Sequence, residues 1–257
     1  MGDVDAEVFN TTAIGLCIGI AGGAALTLGS IGLIKYYRRT SRKPKSLKLY
    51  HSFPFRSVRC AWLVAELGVE DEVEIIEFNI HEDNPVEMEK YKREVHPHGT
   101  LPALVVDDNH TILESAAICM YLADLYGQLV PNRYARREYY NWIVYASCTM
   151  DSVLDPLYMQ LTHTPEDKID QSLIDKLLKK YHVIAAYLNN ALTDREWICG
   201  ERFTAADCVI GYNVWWAAVI KKGELLKDYP ALSAYNERIK NRAAFKKCLP
   251  QKPPSME

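Results

Sequence analysis

The side chains in this chain most suited to chemistry are its seven cysteines, at positions 17, 60, 119, 148, 199, 208 and 248. An odd number with no C-x-x-C pair supplies neither a disulfide framework nor the ligand spacing of a zinc site. The spacing predicts reduced, mostly buried thiols and no metal. A second motif is Thr204-Ala205-Ala206-Asp207, in which a hydroxyl precedes an acid by three residues. It reads as a capping box with Asp in place of Glu or Gln, with Phe203 as a staple partner for Cys208. This is a device for starting a helix and has no catalytic role. Asn10-Thr11-Thr12 has the pattern of a glycosylation acceptor, but it abuts an apolar run and is expected to be unused. Any active site must therefore be assembled from scattered side chains by the elements that carry them.

The chain has 257 residues, 49% of them hydrophobic and 25% charged, with a net charge of −3. That is too long for a disulfide miniprotein and too apolar for a disordered chain. The near-neutral charge gives no reason to expect nucleic acid as a partner. Residues 13–34 contain neither charge nor proline. As a helix this segment is about 33 Å long, the thickness of a bilayer core. Asp3, Asp5 and Glu7 precede it, and Lys35, Arg38, Arg39, Arg42, Lys43 and Lys45 follow. By the positive-inside bias the segment predicts a single-pass membrane protein with its C-terminal bulk in the cytosol, at the endoplasmic reticulum or the mitochondrial outer membrane. Residues 1–12 are then a luminal or external tail, and 35–46 a basic linker attracted to anionic lipid. Gly15, Gly19 and Gly23 share one helix face and permit self-association.

Beyond the linker, periodicity predicts strands at 47–51, 72–79, 103–106 and 111–113, with helices at 55–67, 85–95 and 114–126. The last helix closes at Gly127. The order βαβ then ββα gives a small mixed sheet with helices on it, over 47–127. After a hinge at 127–133 the strand signal largely disappears. Helices at 134–160, 166–192, 204–220 and 231–247 make an all-helical second domain over 134–248.

Four short segments, in this order and spacing, resemble the glutathione transferase family over residues 47–248. They are LYHSFPFRSVRCAWLVAELG (49–68), HPHGTLPAL (96–104), LESAAI (113–118) and FTAAD (203–207). The resemblance implies an α/β thioredoxin-like N-terminal domain followed by an all-α C-terminal domain, here preceded by a single transmembrane helix. It implies glutathione as co-substrate, no metal, a hydrophobic electrophile as second substrate, the lipid bilayer as a partner, and a homodimer.

The resemblance also carries site residues. Pro102 matches the family's cis-proline, which would turn the Leu101 backbone toward the cysteinyl backbone of glutathione; the alternative is a trans proline opening a strand. Glu114 and Ser115 match the strand-to-helix turn that takes the γ-glutamyl group on free amides and a positive dipole end; the alternative is a plain capping pair. S-x-P-x-R-S-V at 52–58 makes Ser52 the thiol-activating hydroxyl, with Tyr50, Ser57 or no side chain as alternatives. Arg56 would add positive potential near the thiolate. Thr100 stands where many relatives have Lys or His, which leaves His98 as a stand-in for the glycyl carboxylate. Trp142, Tyr145, Tyr158 and Trp215 are the candidates for the electrophile site, with core packing as the alternative for each. Two functions follow. One is a membrane-anchored glutathione transferase that conjugates apolar electrophiles or reduces lipid hydroperoxides. The other is a non-catalytic adaptor of the same fold, tethered to an organelle membrane.

Overall fold

The computed structural model describes residues 43–80 and 84–249. Strand β1 (Leu47–His51) is followed by helix α1 (Val58–Leu67), strand β2 (Glu74–Glu77) and helix α2 (Pro85–Glu94). Strands β3 (Ala103–Val106) and β4 (His110–Leu113) then lead into helix α3 (Ser115–Tyr126). The sheet order is β2-β1-β3-β4, with β1 parallel to β2 and antiparallel to β3, and β3 antiparallel to β4. This is the thioredoxin-like arrangement.

Strand alternation divides the sheet's faces. Leu47 and Leu49 join the core that α1 and α3 cover, whereas Tyr50 packs on the other face with Phe78, Tyr91 and Leu101, under α2. Helix α1 is apolar nearly all round because it is sandwiched: Trp62, Leu63 and Val64 are fully buried. It stops at Gly68, whose φ of 67° lets its N–H and that of Val69 bond back to Ala65 and Val64.

The second part is helical: α4 (Arg136–Tyr145), α5 (Asp151–Thr162), α6 (Gln171–Leu192), α7 (Ala205–Ile220), α8 (Pro230–Asn241) and α9 (Ala243–Lys247). The single helix expected over 134–160 is interrupted by a π turn at Ala146–Met150. The helix expected over 231–247 is broken at Arg242, whose backbone is extended. Its guanidinium pairs with both oxygens of Glu66 and lies 3.8 Å over the Phe203 ring. The capping box at Thr204 forms as expected, but Phe203 meets Trp62 and Trp197 with its ring.

The membrane expectation needs correction. Among the described residues no helix is long and apolar enough to cross a membrane. Helix α6 has the length, but Asp175, Lys176, Lys179 and Lys180 stand exposed on it. Helix α7 is apolar, but it has 16 residues and most of them are buried in the fold. The span expected at 13–34 lies outside the described residues, as does the tail at 1–12. The described structure thus gives no support to the expected transmembrane helix, to the bilayer as a partner or to the single-pass localisation. The expected homodimer is likewise without support here, since the described residues belong to a single chain.

Helix α7 is the central packing element, and Gly211 lets it approach its neighbours. A Cβ there would lie 2.6 Å from Ile239 Cδ1 and 3.1 Å from the Trp62 ring. We expect Gly211→Val to destabilise the fold by about 1–3 kcal/mol, read as a lower urea midpoint. The fully buried Asp207 accepts from the N–H groups of Ile198 and Thr204, both at 2.8 Å, and from the hydroxyls of Thr204 and Tyr235. Burial pushes its pKa up to about 6 against the pull of these donors. The folded state thus takes up this proton before the unfolded chain does. Relative to Asp207→Asn, the natural protein should lose stability as pH rises from about 4 to about 6 and then level off. Urea midpoints across that range check the sign.

Candidate active site at one end of the sheet

Strand register brings the expected site residues together. Tyr50 pairs with Ala103, and Ala103 pairs with Leu113. Ser52 just beyond β1, Leu101-Pro102 just before β3, and Glu114-Ser115 just beyond β4 therefore share one end of the sheet. The Leu101–Pro102 peptide is cis, as expected.

The loop from β1 to α1 is tied by Ser57. This fully buried side chain donates to the Ser52 carbonyl at 2.9 Å and accepts from the Ser52 N–H at 3.1 Å. Nδ1 of the buried His51 lies 2.9 Å from the same hydroxyl. Burial lowers the His51 pKa to about 4, so the ring is neutral at physiological pH. Ser57 is thus committed to shaping the loop, which leaves Ser52 as the loop hydroxyl that lines the adjacent cleft. A second cis peptide, Phe53–Pro54, follows it, and Tyr212 donates to the Pro54 carbonyl at 2.7 Å. Tyr50 is placed elsewhere. Its ring packs against Phe78 and Tyr91, outside the cleft lining, and burial raises its pKa.

Glu114 has φ 68° and ψ 117°, a conformation that costs a non-glycine residue about 1–3 kcal/mol. Its side chain makes no cap hydrogen bond, so the capping-pair alternative has no support here. Ser115 is buried and its hydroxyl accepts from Arg59 Nη1 at 3.0 Å. Arg59 is itself fully buried. It grips Asp151 through Nη1–Oδ2 at 3.0 Å and Nη2–Oδ1 at 2.6 Å, bonds Asn213 Oδ1, and stacks 4.9 Å over the Tyr212 ring. Burial opposes its charge, but the Asp151 carboxylate outweighs that and keeps its pKa raised. Asn213 also donates to Asp151 at 2.9 Å and to the Ala146 carbonyl in the π turn at 3.2 Å. This network ties α1, α3, α5 and α7 together.

Around the cis-proline, the buried residue is His96, which sequence reasoning passed over for His98. The His98 N–H donates to His96 Nδ1 at 3.2 Å, so Nε2 carries the proton toward Thr100 Oγ1, 2.9 Å away. Tyr91 donates to the Thr100 carbonyl at 2.8 Å. His98 is exposed and is not among the cleft-lining residues.

The cleft is about 830 Å³ and lies between the β1–α1 loop and the helical part. Arg56 lines it, but its guanidinium is engaged, 3.4 Å from Asp151 and 3.3 Å from Asp155. Of the four aromatic candidates, only Tyr158 lines the cleft. Trp142 and Tyr145 pack with Tyr187, and Trp215 sits behind Phe53. The aromatic wall consists of Tyr158, Tyr212 and Trp216. The i, i+4 spacing of Tyr212 and Trp216 on α7 is the signal that could have found it.

Comparison with known proteins agrees with this geometry. The model for the glutathione S-transferase N-terminal domain matches residues 45–124, and that for the C-terminal domain matches 149–243. Glutathione S-transferase GstA of Escherichia coli O157:H7 is 32% identical over 159 residues, covering 60% of this chain and 75% of that protein. Glutathione S-transferase D7 of Drosophila melanogaster is 31% identical over 52% of this chain and 61% of that protein. A glutathione transferase family member from Pseudomonas fluorescens, solved with two glutathione bound, superposes with a TM-score of 0.71 at 22% identity, over 82% of this chain and 96% of that one. That last likeness shows the fold. Domain models, sequence identity and the cis-proline end of the sheet agree, and the chain belongs to the glutathione S-transferase family of enzymes.

Proposed function

We propose that this enzyme binds glutathione at the shared end of the sheet and conjugates it to electrophiles held in the adjoining cleft. The observation that carries this is the convergence there of the Ser52 loop, the cis Leu101–Pro102 peptide and the Glu114–Ser115 turn. In this reading the Leu101 backbone pairs with the cysteinyl unit of glutathione as an added strand would. The γ-glutamyl carboxylate sits on the first-turn amides of α3 beside Ser115 Oγ, and Glu114 takes the α-amino group. The unusual backbone of Glu114 supports this, since strain at a helix start without a capping bond has a reason when the residue must face a ligand. The buried Arg59 positions Ser115 from behind.

The thiol of glutathione has an ordinary pKa near ~8.5 and must lose its proton to react. Ser52, at the mouth of the α1 N-terminus, donates to the sulfur and stabilises the thiolate, aided by the helix end. About two pKa units correspond to roughly 2.7 kcal/mol, within reach of these two effects. The thiolate then attacks the electrophile. A carbon–sulfur bond forms, and the leaving group departs with its electron pair. The non-catalytic adaptor is less favoured, because the chain belongs to an enzyme family and Ser52 lines the cleft. Reduction of lipid hydroperoxides, which was tied to the anchor, is not carried forward.

Ser52→Ala should raise the pKa of bound glutathione by a unit or more and lower kcat/KM at neutral pH by about 10- to 100-fold. The rate should recover as pH rises past the raised pKa, because the thiol then ionises without that hydrogen bond. Thiolate absorbance titration and a pH–rate profile with an aryl halide measure both effects. An unchanged profile in Ser52→Ala, with loss in Tyr50→Phe, would assign the role to Tyr50.

A further inference from the structure

The charges and rings lining the cleft bear on which electrophiles it takes, and this inference rests on the transferase reading above. Helix α5 presents Asp155, Tyr158 and Met159 at i, i+3 and i+4, and α7 presents Tyr212 and Trp216. The Tyr158 and Trp216 rings lie 4.6 Å apart, and the Tyr212 and Trp216 rings are nearly parallel at 6.3 Å. Asp155 is the carboxylate on this wall. Arg59 takes both oxygens of Asp151, so Arg56 is left at 3.4 Å from Asp151 and 3.3 Å from Asp155. Asp155 therefore has one long ion-pair contact, and its side chain remains 45% exposed beside the cleft.

The opposite wall is acidic as well. Glu77 and Glu87 line it, and the Glu77 side chain is 74% exposed. Among the described residues the basic group nearest Glu77 is His51 Nε2, 3.9 Å away on a neutral ring. Glu87 takes a hydrogen bond from the Asn84 amide at 3.2 Å. Among the described residues, three carboxylates line the cleft against the His163 ring and the Arg56 guanidinium, which Asp155 shares with Asp151, so Glu77 and Glu87 stand in excess. Aromatic faces attract cations, and carboxylates add to that attraction. An anionic substituent would meet the same carboxylates with Arg56 occupied.

We infer that the electrophile half of the cleft selects aromatic electrophiles that are neutral or positively charged and discriminates against anionic ones, through Asp155, Glu77 and Glu87 acting with the Tyr158–Trp216 wall.

The test uses three chlorides of one reaction type: 1-chloro-2,4-dinitrobenzene (neutral), 4-chloro-3-nitrobenzoate (anionic) and (4-chloro-3-nitrobenzyl)trimethylammonium (cationic). In each, glutathione sulfur bonds to the ring carbon, the carbon–chlorine bond breaks, and chloride leaves with the electron pair. Each kcat/KM for the full chain is divided by the uncatalysed rate constant with glutathione, which removes the substituents' effect on reactivity. We expect the normalised cation-to-anion ratio to be about tenfold or more at low salt and to shrink toward unity near ~0.5 M salt. Asp155→Asn and, at an exposed position safe for folding, Glu87→Gln should each lower that ratio. Turnover of the neutral chloride with a ratio of one or below overturns this inference and leaves the transferase reading standing. Absence of turnover with all three overturns both.

Discussion

The buried guanidinium of Arg59 is the interaction on which the rest of the site depends. It leaves α1, grips Asp151 at the start of α5, bonds Asn213 on α7 and holds the Ser115 hydroxyl at the start of α3. A charge with no exposure to water is tolerable only when paired and hydrogen-bonded, and removing one partner of such a pair costs about 3–5 kcal/mol. The same contacts fix the α3 N-terminus against the β1–α1 loop. The packing of the helical part and the placement of the turn therefore share the same contacts.

From that anchor the division of labour follows. The sheet end supplies backbone geometry: a cis-proline edge, a strained Glu114, and a loop tied by Ser57 in which Ser52 lines the cleft. The helical part supplies the opposite wall, with Tyr158, Tyr212 and Trp216 reaching over the loop and Tyr212 bonded to Pro54. Neither half makes the cleft alone. Charge is shared in the same way: Arg59 takes both oxygens of Asp151, and Arg56 lies between Asp151 and Asp155.

The sequence exposes those parts of this arrangement that rest on local pattern. Alternation in Leu47-Lys48-Leu49-Tyr50-His51 marks β1, and it already places Tyr50 on the face away from α1, a parity that argues against its role as the activator. Thr204 through Asp207 announces α7, and the family resemblance points to Pro102, Glu114 and Ser115. What stays hidden depends on distant partners or on helix phase. Arg59 reads as one more basic residue in an apolar helix until Asp151 and Asn213, 92 and 154 residues away, are brought to it. Trp215 and Trp216 are adjacent, and about 100° of rotation decides which one faces the cleft. The π turn at 146–150 shifts the phase of α5 relative to α4, and of the aromatic candidates on these two helices Tyr158 lines the cleft whereas Trp142 and Tyr145 do not. The N-terminal apolar run is legible by composition alone, and nothing in the described fold uses it.

The central claim is that the Arg59–Asp151 pair positions the glutathione turn as well as stabilising the fold. Replacing both members with apolar residues of similar size, Arg59→Met with Asp151→Leu, removes the pair without stranding a buried charge. Calorimetric titration of that double variant with glutathione is the direct measurement, made alongside a urea midpoint. The account predicts an affinity at least about tenfold weaker, or roughly 1.4 kcal/mol, in a protein that still unfolds cooperatively. Undiminished affinity in the folded double variant would contradict it.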